Sequence, residues 1–122
     1  MSEFVYSFEK LRVWNAAREL YKDVYKATRA FPREELYGLT SQMNRAAISV
    51  TANLAEGSSR TSRKDQAHFT QISYGSLTEL ACLGILASDV AVLPKQREME
   101  FRPRIDSIAR QLIALRDAQL RA

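Results

Sequence analysis

Two columns of polar side chains are the strongest chemical signal in the sequence. The first lies in an otherwise apolar run and has helical spacing: Arg45, Ser49, Asn53 and Glu56. The second lies further along the chain: Ser73, Ser76 and Glu79. Residues three or four apart share one face of a helix, so each set forms a column.

Two interpretations of these columns are open. In the first they face each other, and Arg45 pairs with Glu79 while Asn53 pairs with Ser76 in a buried or subunit-interface network. Gly75 would then let a neighbouring backbone approach closely. In the second, both columns are solvated helix faces. The residues that flank the first column are apolar nearly all round, which is unusual for a surface helix and favours the network.

Catalytic chemistry has little support in the sequence. His68 is the only histidine, so the two-histidine metal motifs and a nucleophile relay that needs a second histidine are absent. Glu56 and Glu79 are the candidate acid/base pair, but diiron bundles also need Glu-x-x-His repeats. We predict that the protein is not an enzyme and has no catalytic residues, metal site or cofactor.

The spacing of apolar residues, together with the positions of proline and glycine, predicts the helices that must position these residues. The stripe of the first helix is Phe8, Leu11, Trp14, Ala17, Tyr21, Val24, Thr28 and Phe31. Pro32 ends it. The second helix is predicted to run from Thr40 as N-cap to Glu56, and Gly57 is predicted to be a left-handed C-terminal cap. Its stripe is Leu39, Met43, Ala46, Ala47, Val50 and Leu54.

Two further helices follow. Ser62 and Asp65 resemble a capping box that opens a third helix, which is predicted to continue to about Val92. Its apolar positions are Phe69, Ile72, Leu80, Leu83 and Leu86. Pro94 breaks the chain, and Pro103 is tolerated in a fourth helix if it falls in the first turn. That helix has an a/d seam: Phe101, Ile105, Ile108, Leu112 and Leu115.

Short connections between these helices force neighbours to be antiparallel. We therefore predict an all-α fold, a single antiparallel up-down-up-down four-helix bundle over residues 1–122. In such a bundle both termini and the loop between the second and third helices share one end. Seven cations then converge there: Lys10, Arg12, Arg60, Arg63, Lys64, Arg116 and Arg121. They are opposed by four acidic side chains and the terminal carboxylate: Glu3, Glu9, Asp65 and Asp117.

This end has two interpretations, a phosphate-binding rim or a solvated end of mixed charge. The net charge of +4 is compatible with nucleic acid but also with solubility alone. No run of about eighteen uncharged apolar residues exists, and the N-terminus lacks the layout of a signal peptide. We expect a cytoplasmic protein that does not enter membranes. The lone Cys82 lies among apolar residues and is predicted to be a small buried thiol.

The segment QMNRAAISVTANLAEGSSR resembles the signature of the bacterial four-helix-bundle proteins encoded by intervening sequences in 23S ribosomal RNA genes. The matching positions are Gln42, Arg45, Ala46, Ser49, Asn53, Ala55, Glu56 and Gly57. Further similar segments are FEKLRVWNAARELYKDVYKAT, FPREELYGLTSQ and YGSLTEL, so the resemblance extends from Phe8 to about Leu86. Two positions depart from it: Asn44 replaces a common arginine, and Thr51 a common proline.

This resemblance implies a homopentamer of four-helix bundles without established enzymatic activity. The fold is also similar to that of the accessory proteins of diversity-generating retroelements, pentameric barrels that bind nucleic acid and a reverse transcriptase. By analogy, RNA or DNA is the expected ligand, with little sequence preference. The alternative is a structural protein that scaffolds a protein partner without binding nucleic acid.

Overall fold

The computed structural model describes residues 3–121, and within that range it contains helices and no strand. The four long helices are α1 (Arg12–Arg29), α2 (Ser41–Ser58), α3 (Arg63–Asp89) and α4 (Lys95–Leu120). In this up-down arrangement α2 packs between α1 and α3, and α4 closes the bundle against α3 and α1. The predicted all-α four-helix bundle is confirmed.

Short turns precede α1 and α2. A 3-10 turn, Ser7–Lys10, leads into α1, and a second one, Arg33–Glu35, continues into a π turn, Leu36–Thr40. Gly38 in the π turn has φ −110° and ψ −112°, which kinks the backbone. Thr40 already has helical φ and ψ and makes no side-chain cap bond, so its predicted role as N-cap is wrong.

The predicted start of α3 is confirmed by its cap. The Oγ of Ser62 accepts a hydrogen bond from the Asp65 backbone N–H at 3.0 Å, and Ser62 itself is extended. This bond satisfies one of the backbone donors that the first turn of a helix leaves free. The cap fixes where the α2–α3 loop ends.

The predicted positions of one glycine and one proline at helix ends are wrong. Gly57 is helical and buried in the last turn of α2, and no residue of the described chain is a glycine with positive φ. A Cβ atom there would come within 2.9 Å of the Phe69 Cβ, so glycine is needed for close packing of α2 on α3. Pro103 lies inside α4, beyond the first turn.

The core lies along the bundle axis, and the predicted stripes of α2 and α4 supply much of it. Buried residues of these two helices include Met43, Ala46, Ala47, Val50, Leu54, Phe101, Ile108 and Leu112. On α1 the predicted stripe is only partly confirmed. Its members Ala17, Val24 and Thr28 are buried, but so are Val13, Leu20 and Ala27, whereas Trp14 and Tyr21 lie at the edge of the core. Of the apolar positions predicted along α3, Leu80 and Leu83 are buried, whereas Ile72 and Leu86 are exposed.

Candidate functional site

The polar columns of α2 and α3 meet through two serines. Ser49 Oγ lies 2.7 Å from Ser76 Oγ across the helix interface. Asn53 Nδ2 donates to the Ser49 backbone carbonyl and to Ser49 Oγ, both at 2.9 Å. The predicted Asn53–Ser76 contact is therefore replaced by a relay through Ser49. Deeper in the bundle, Ser73 Oγ donates to the Val50 carbonyl at 2.7 Å.

The charged ends of the columns point to solvent. Arg45 and Glu79 are both exposed, and within residues 3–121 no ion pair joins them. Ser49 opposes Ser76, and Arg45 precedes Ser49 by four residues while Glu79 follows Ser76 by three. In antiparallel helices both steps run the same way, so the two charges lie at the same level of the bundle.

Glu56, the remaining member of the first column, contacts the α2–α3 loop at the end of the bundle. Its Oε2 accepts a hydrogen bond from Arg60 Nη2 at 2.8 Å. Asn44, at the position where arginine was expected, ties α2 to α1 because its Nδ2 donates to Thr28 Oγ1 and to the Thr40 carbonyl, both at 2.8 Å. Asn44 therefore adds nothing to an exposed basic surface.

The structure brings the termini and the α2–α3 loop together at one end of the bundle. Ser7 Oγ lies 3.4 Å from Ser58 Oγ, which joins the N-terminal segment to the end of α2. Arg63 Nη1 donates to the Arg121 carbonyl at 2.7 Å, which joins the start of α3 to the end of α4. The exposed cations at this end are Lys10, Arg12, Arg60, Arg63, Lys64, Arg116 and Arg121.

The Arg60 side chain contacts two neighbouring side chains. Its guanidinium lies 4.7 Å from the centre of the Phe69 ring while it also binds Glu56. Its own backbone carbonyl accepts from Gln66 Nε2 at 2.9 Å, which holds the loop in one conformation. Arg60, Arg63 and Lys64 are called the rim below. The α2–α3 loop, which carries Arg60 and precedes Arg63 and Lys64, is therefore tied to α2 and α3 by side-chain bonds.

The described residues, 3–121, contain no group of three or more His, Cys, Asp or Glu side chains placed to hold a metal ion. None of their helices has the length and apolar character needed to cross a membrane. The Cys82 thiol, predicted to be buried, is exposed.

A family model described as 23S rRNA-intervening sequence protein matches residues 9–114. The chain belongs to this family. A search of curated protein sequences found no match. The match includes α1, α2 and α3 and most of α4, so it covers the polar columns and the rim.

In this member of the 23S rRNA-intervening sequence family, α1 carries a surface that the sequence patterns did not predict. Trp14, Arg18, Tyr21, Tyr25 and Arg29 follow one side of α1 and form what we call the ladder. The Arg18 guanidinium lies 5.5 Å from the Trp14 ring centre, and that of Arg29 lies 5.8 Å from the Tyr25 ring centre. The Tyr21 and Tyr25 rings are 6.2 Å apart. The spacings of these five residues are four, three, four and four, which place them on one side of the helix.

Aromatic rings of the N-terminal segment continue this surface toward the bundle end. Phe4 meets Tyr6 edge-on with ring centres 5.1 Å apart, and Tyr6 stacks on Phe8 at 5.4 Å. Phe8 in turn meets Trp14 at 4.9 Å. A continuous row of rings therefore leads from the bundle end onto α1.

A groove of about 350 Å³ between α3 and α4 is mainly apolar and holds one buried carboxylate. Glu98, which sequence patterning placed in no role, binds Arg102 through two hydrogen bonds of 2.5 and 3.2 Å. Hydrogen bonding and charge attraction from Glu98 raise the pKa of Arg102. Each oxygen of the Glu98 carboxylate therefore accepts one hydrogen bond from Arg102.

Proposed function

We propose that the protein is a non-enzymatic homo-oligomer, a pentamer as the family resemblance implies, that binds RNA or DNA phosphates through its rim. The observation that carries the assembly is a second seam on α3. Five of its exposed residues have spacings of three, four, three and four, as in a coiled coil: Ile72, Gly75, Glu79, Cys82 and Leu86. We call this set the outer seam. The opposite face of α3 already fills the core with Leu77, Leu80 and Leu83.

The exposed face of α2 lies beside the outer seam and extends it. Ile48 is 46% exposed, and Ala52, four residues later, is exposed as well. A helix that is apolar on two sides needs a partner on each. The opposite charges of Arg45 and Glu79 at one level of this surface would suit an ion pair between neighbouring subunits.

Nucleic-acid binding is supported by the rim. Arg60 lies in the α2–α3 loop and Arg63 and Lys64 are the first two residues of α3, at the end where further exposed cations gather. An oligomer repeats this end in every subunit, so weak phosphate contacts would act together on one strand or duplex.

Two measurements test this proposal. Light scattering should give about five times the chain mass of 13.9 kDa. Filter binding should show retention of RNA or DNA at about 50 mM salt and a steep loss toward about 200 mM. A monomer contradicts the assembly. An oligomer that retains no nucleic acid at either salt concentration supports the alternative, a scaffold for a protein partner.

A further inference from the structure

We infer that the ladder on α1, continued by the N-terminal rings, is a binding surface for single-stranded nucleic acid, on which unpaired bases stack against aromatic rings while phosphates contact the adjacent cations. This inference rests on the proposed function only for the class of ligand. It concerns a different surface from the rim, and it adds a preference for unpaired strands.

The first support is the alternation of rings and cations along one line. From Trp14 to Arg29 the helix rises by about 22 Å, so the surface is long enough for several nucleotides. Tyr25 is 47% exposed and Tyr6 is 59% exposed, which leaves ring surface free for a base. Stacking of bases on aromatic side chains beside a basic surface is the common means of holding a single strand without sequence preference.

The second support is the charge of α1. Within residues 3–121, Arg18, Lys26 and Arg29 have no carboxylate within 4.0 Å. The two carboxylates of α1 are each engaged: Glu19 binds Lys22 at 3.2 Å, and Asp23 binds Arg104 on α4. The exposed side of α1 therefore carries uncompensated positive charge next to its rings.

The third support is the contrast with α4. Three of its arginines bind carboxylates on the same helix: Arg97 with Glu100, Arg102 with Glu98 and Arg110 with Asp106. The positive charges of these three arginines are therefore balanced by carboxylates of the same helix. On α1 the partners of Arg18 and Arg29 are ring faces, which orient a guanidinium without cancelling its charge.

A purely structural role for the ladder makes a different prediction from a binding role. If the rings and guanidinium groups only stabilise α1, replacing them should change the free energy of unfolding but not the affinity for nucleic acid. Paired bases keep their faces inside the duplex, so a stacking surface must favour single strands over duplex, whereas a rim that reads phosphates does not. Strand preference therefore separates the ladder from the rim.

The test compares two tyrosine variants. Tyr25→Leu removes a ladder ring but keeps apolar bulk, and Tyr37→Leu is the matched control because Tyr37 is 92% exposed and lies outside the ladder. We expect Tyr25→Leu to weaken binding of an oligothymidine of about 15 nucleotides by about 5- to 100-fold. Binding of a duplex of equal length and binding by Tyr37→Leu should stay at the wild-type level. Circular dichroism verifies that both variants are folded.

Trp14 supplies a second readout, because it is the only tryptophan of the chain and lies within the ladder. Its fluorescence should be quenched when oligothymidine binds, and quenching should persist when Arg60, Arg63 and Lys64 are all changed to Glu. No single-strand binding by the wild type, equal binding by Tyr25→Leu, or an equal loss for duplex would each overturn the ladder. The ladder could fail these tests while the rim variant still loses duplex binding. The proposed function would then stand without the ladder.

Discussion

A Cβ atom on Gly57 would lie 2.9 Å from the Cβ of Phe69, closer than two helices can hold such atoms without moving apart. Gly57 is in the last turn of α2, and Phe69 is in the second turn of α3. The two helices are therefore closely packed next to the α2–α3 loop. A side chain at position 57 would displace both helix ends and the loop between them.

Gly57→Ala should lower the free energy of unfolding by about 1 to 2 kcal/mol, since overpacking outweighs the better helix propensity of alanine. Urea denaturation at a fixed protein concentration measures the change. Gly84→Ala is the control, because Gly84 is also a buried helical glycine but its nearest neighbour, Glu98 Cγ, would be 3.9 Å from the new Cβ. Equal effects at the two positions would contradict the packing argument.

If the proposed oligomer forms, Ile48→Glu should dissociate it, because it places a further charge among the exposed apolar residues of α2 and the outer seam. Ile113→Glu on α4 is the control, since Ile113 is 49% exposed and Ile48 is 46% exposed. Light scattering of the two variants distinguishes them: only Ile48→Glu should approach the mass of a single chain. If Ile113→Glu dissociates the oligomer instead, the interface lies on α4.

Arg45 and Glu79 lie at the same height along the bundle, so exchanging their charges gives a test of the proposed interface. Arg45→Glu and Glu79→Arg should each weaken assembly, because like charges then meet across the subunit interface. The double variant should recover assembly, and sedimentation at several concentrations gives the coupling energy. Additive losses, or no loss in either single variant, would show that the two side chains are solvated in the oligomer as they are in one chain.

Changing Arg60, Arg63 and Lys64 together to Glu should abolish duplex binding while the oligomer persists, because the rim lies outside the apolar seams. Each neutralised phosphate contributes about −0.9 to the log–log salt slope on duplex DNA and about −0.7 on single strands. A variant with Arg33, Lys95 and Arg110 changed to Glu has the same net charge and should keep binding. Equal duplex binding by the rim variant and the wild type would identify the loop as a solvated turn.

Local chemistry explains which parts of the fold were predictable. Pro32 lies just beyond the end of α1 and Pro94 is the N-cap of α4, so both prolines mark connections between helices, and Ser62 caps α3 through a bond to a residue three positions away. Gly57 was assigned wrongly because a left-handed cap and a close helix crossing both require glycine. Ile72 was counted with the apolar positions of the third helix, and apolar periodicity alone does not distinguish a residue that faces the core from one that is exposed.

The candidate site was harder to predict because it depends on how helices are rotated about their axes. Helical spacing put Arg45 and Glu79 on facing columns, but the rotation that brings Ser49 to Ser76 turns both charges to solvent. The ladder was missed for a related reason. Trp14 and Tyr21 match the core period of α1, and only the packed bundle shows that Val13 and Leu20 occupy the core instead.

Pro103 divides α4 without interrupting its apolar seam. Proline has no N–H, so the Met99 carbonyl loses its bond within the helix, while Phe101 before it and Ile108 after it both stay buried. The helix thus lacks one backbone hydrogen bond at this point while its core packing continues. Amide hydrogens at the exposed Leu120 end should exchange with solvent first, and those next to the buried Ile108 and Leu112 should remain protected longer.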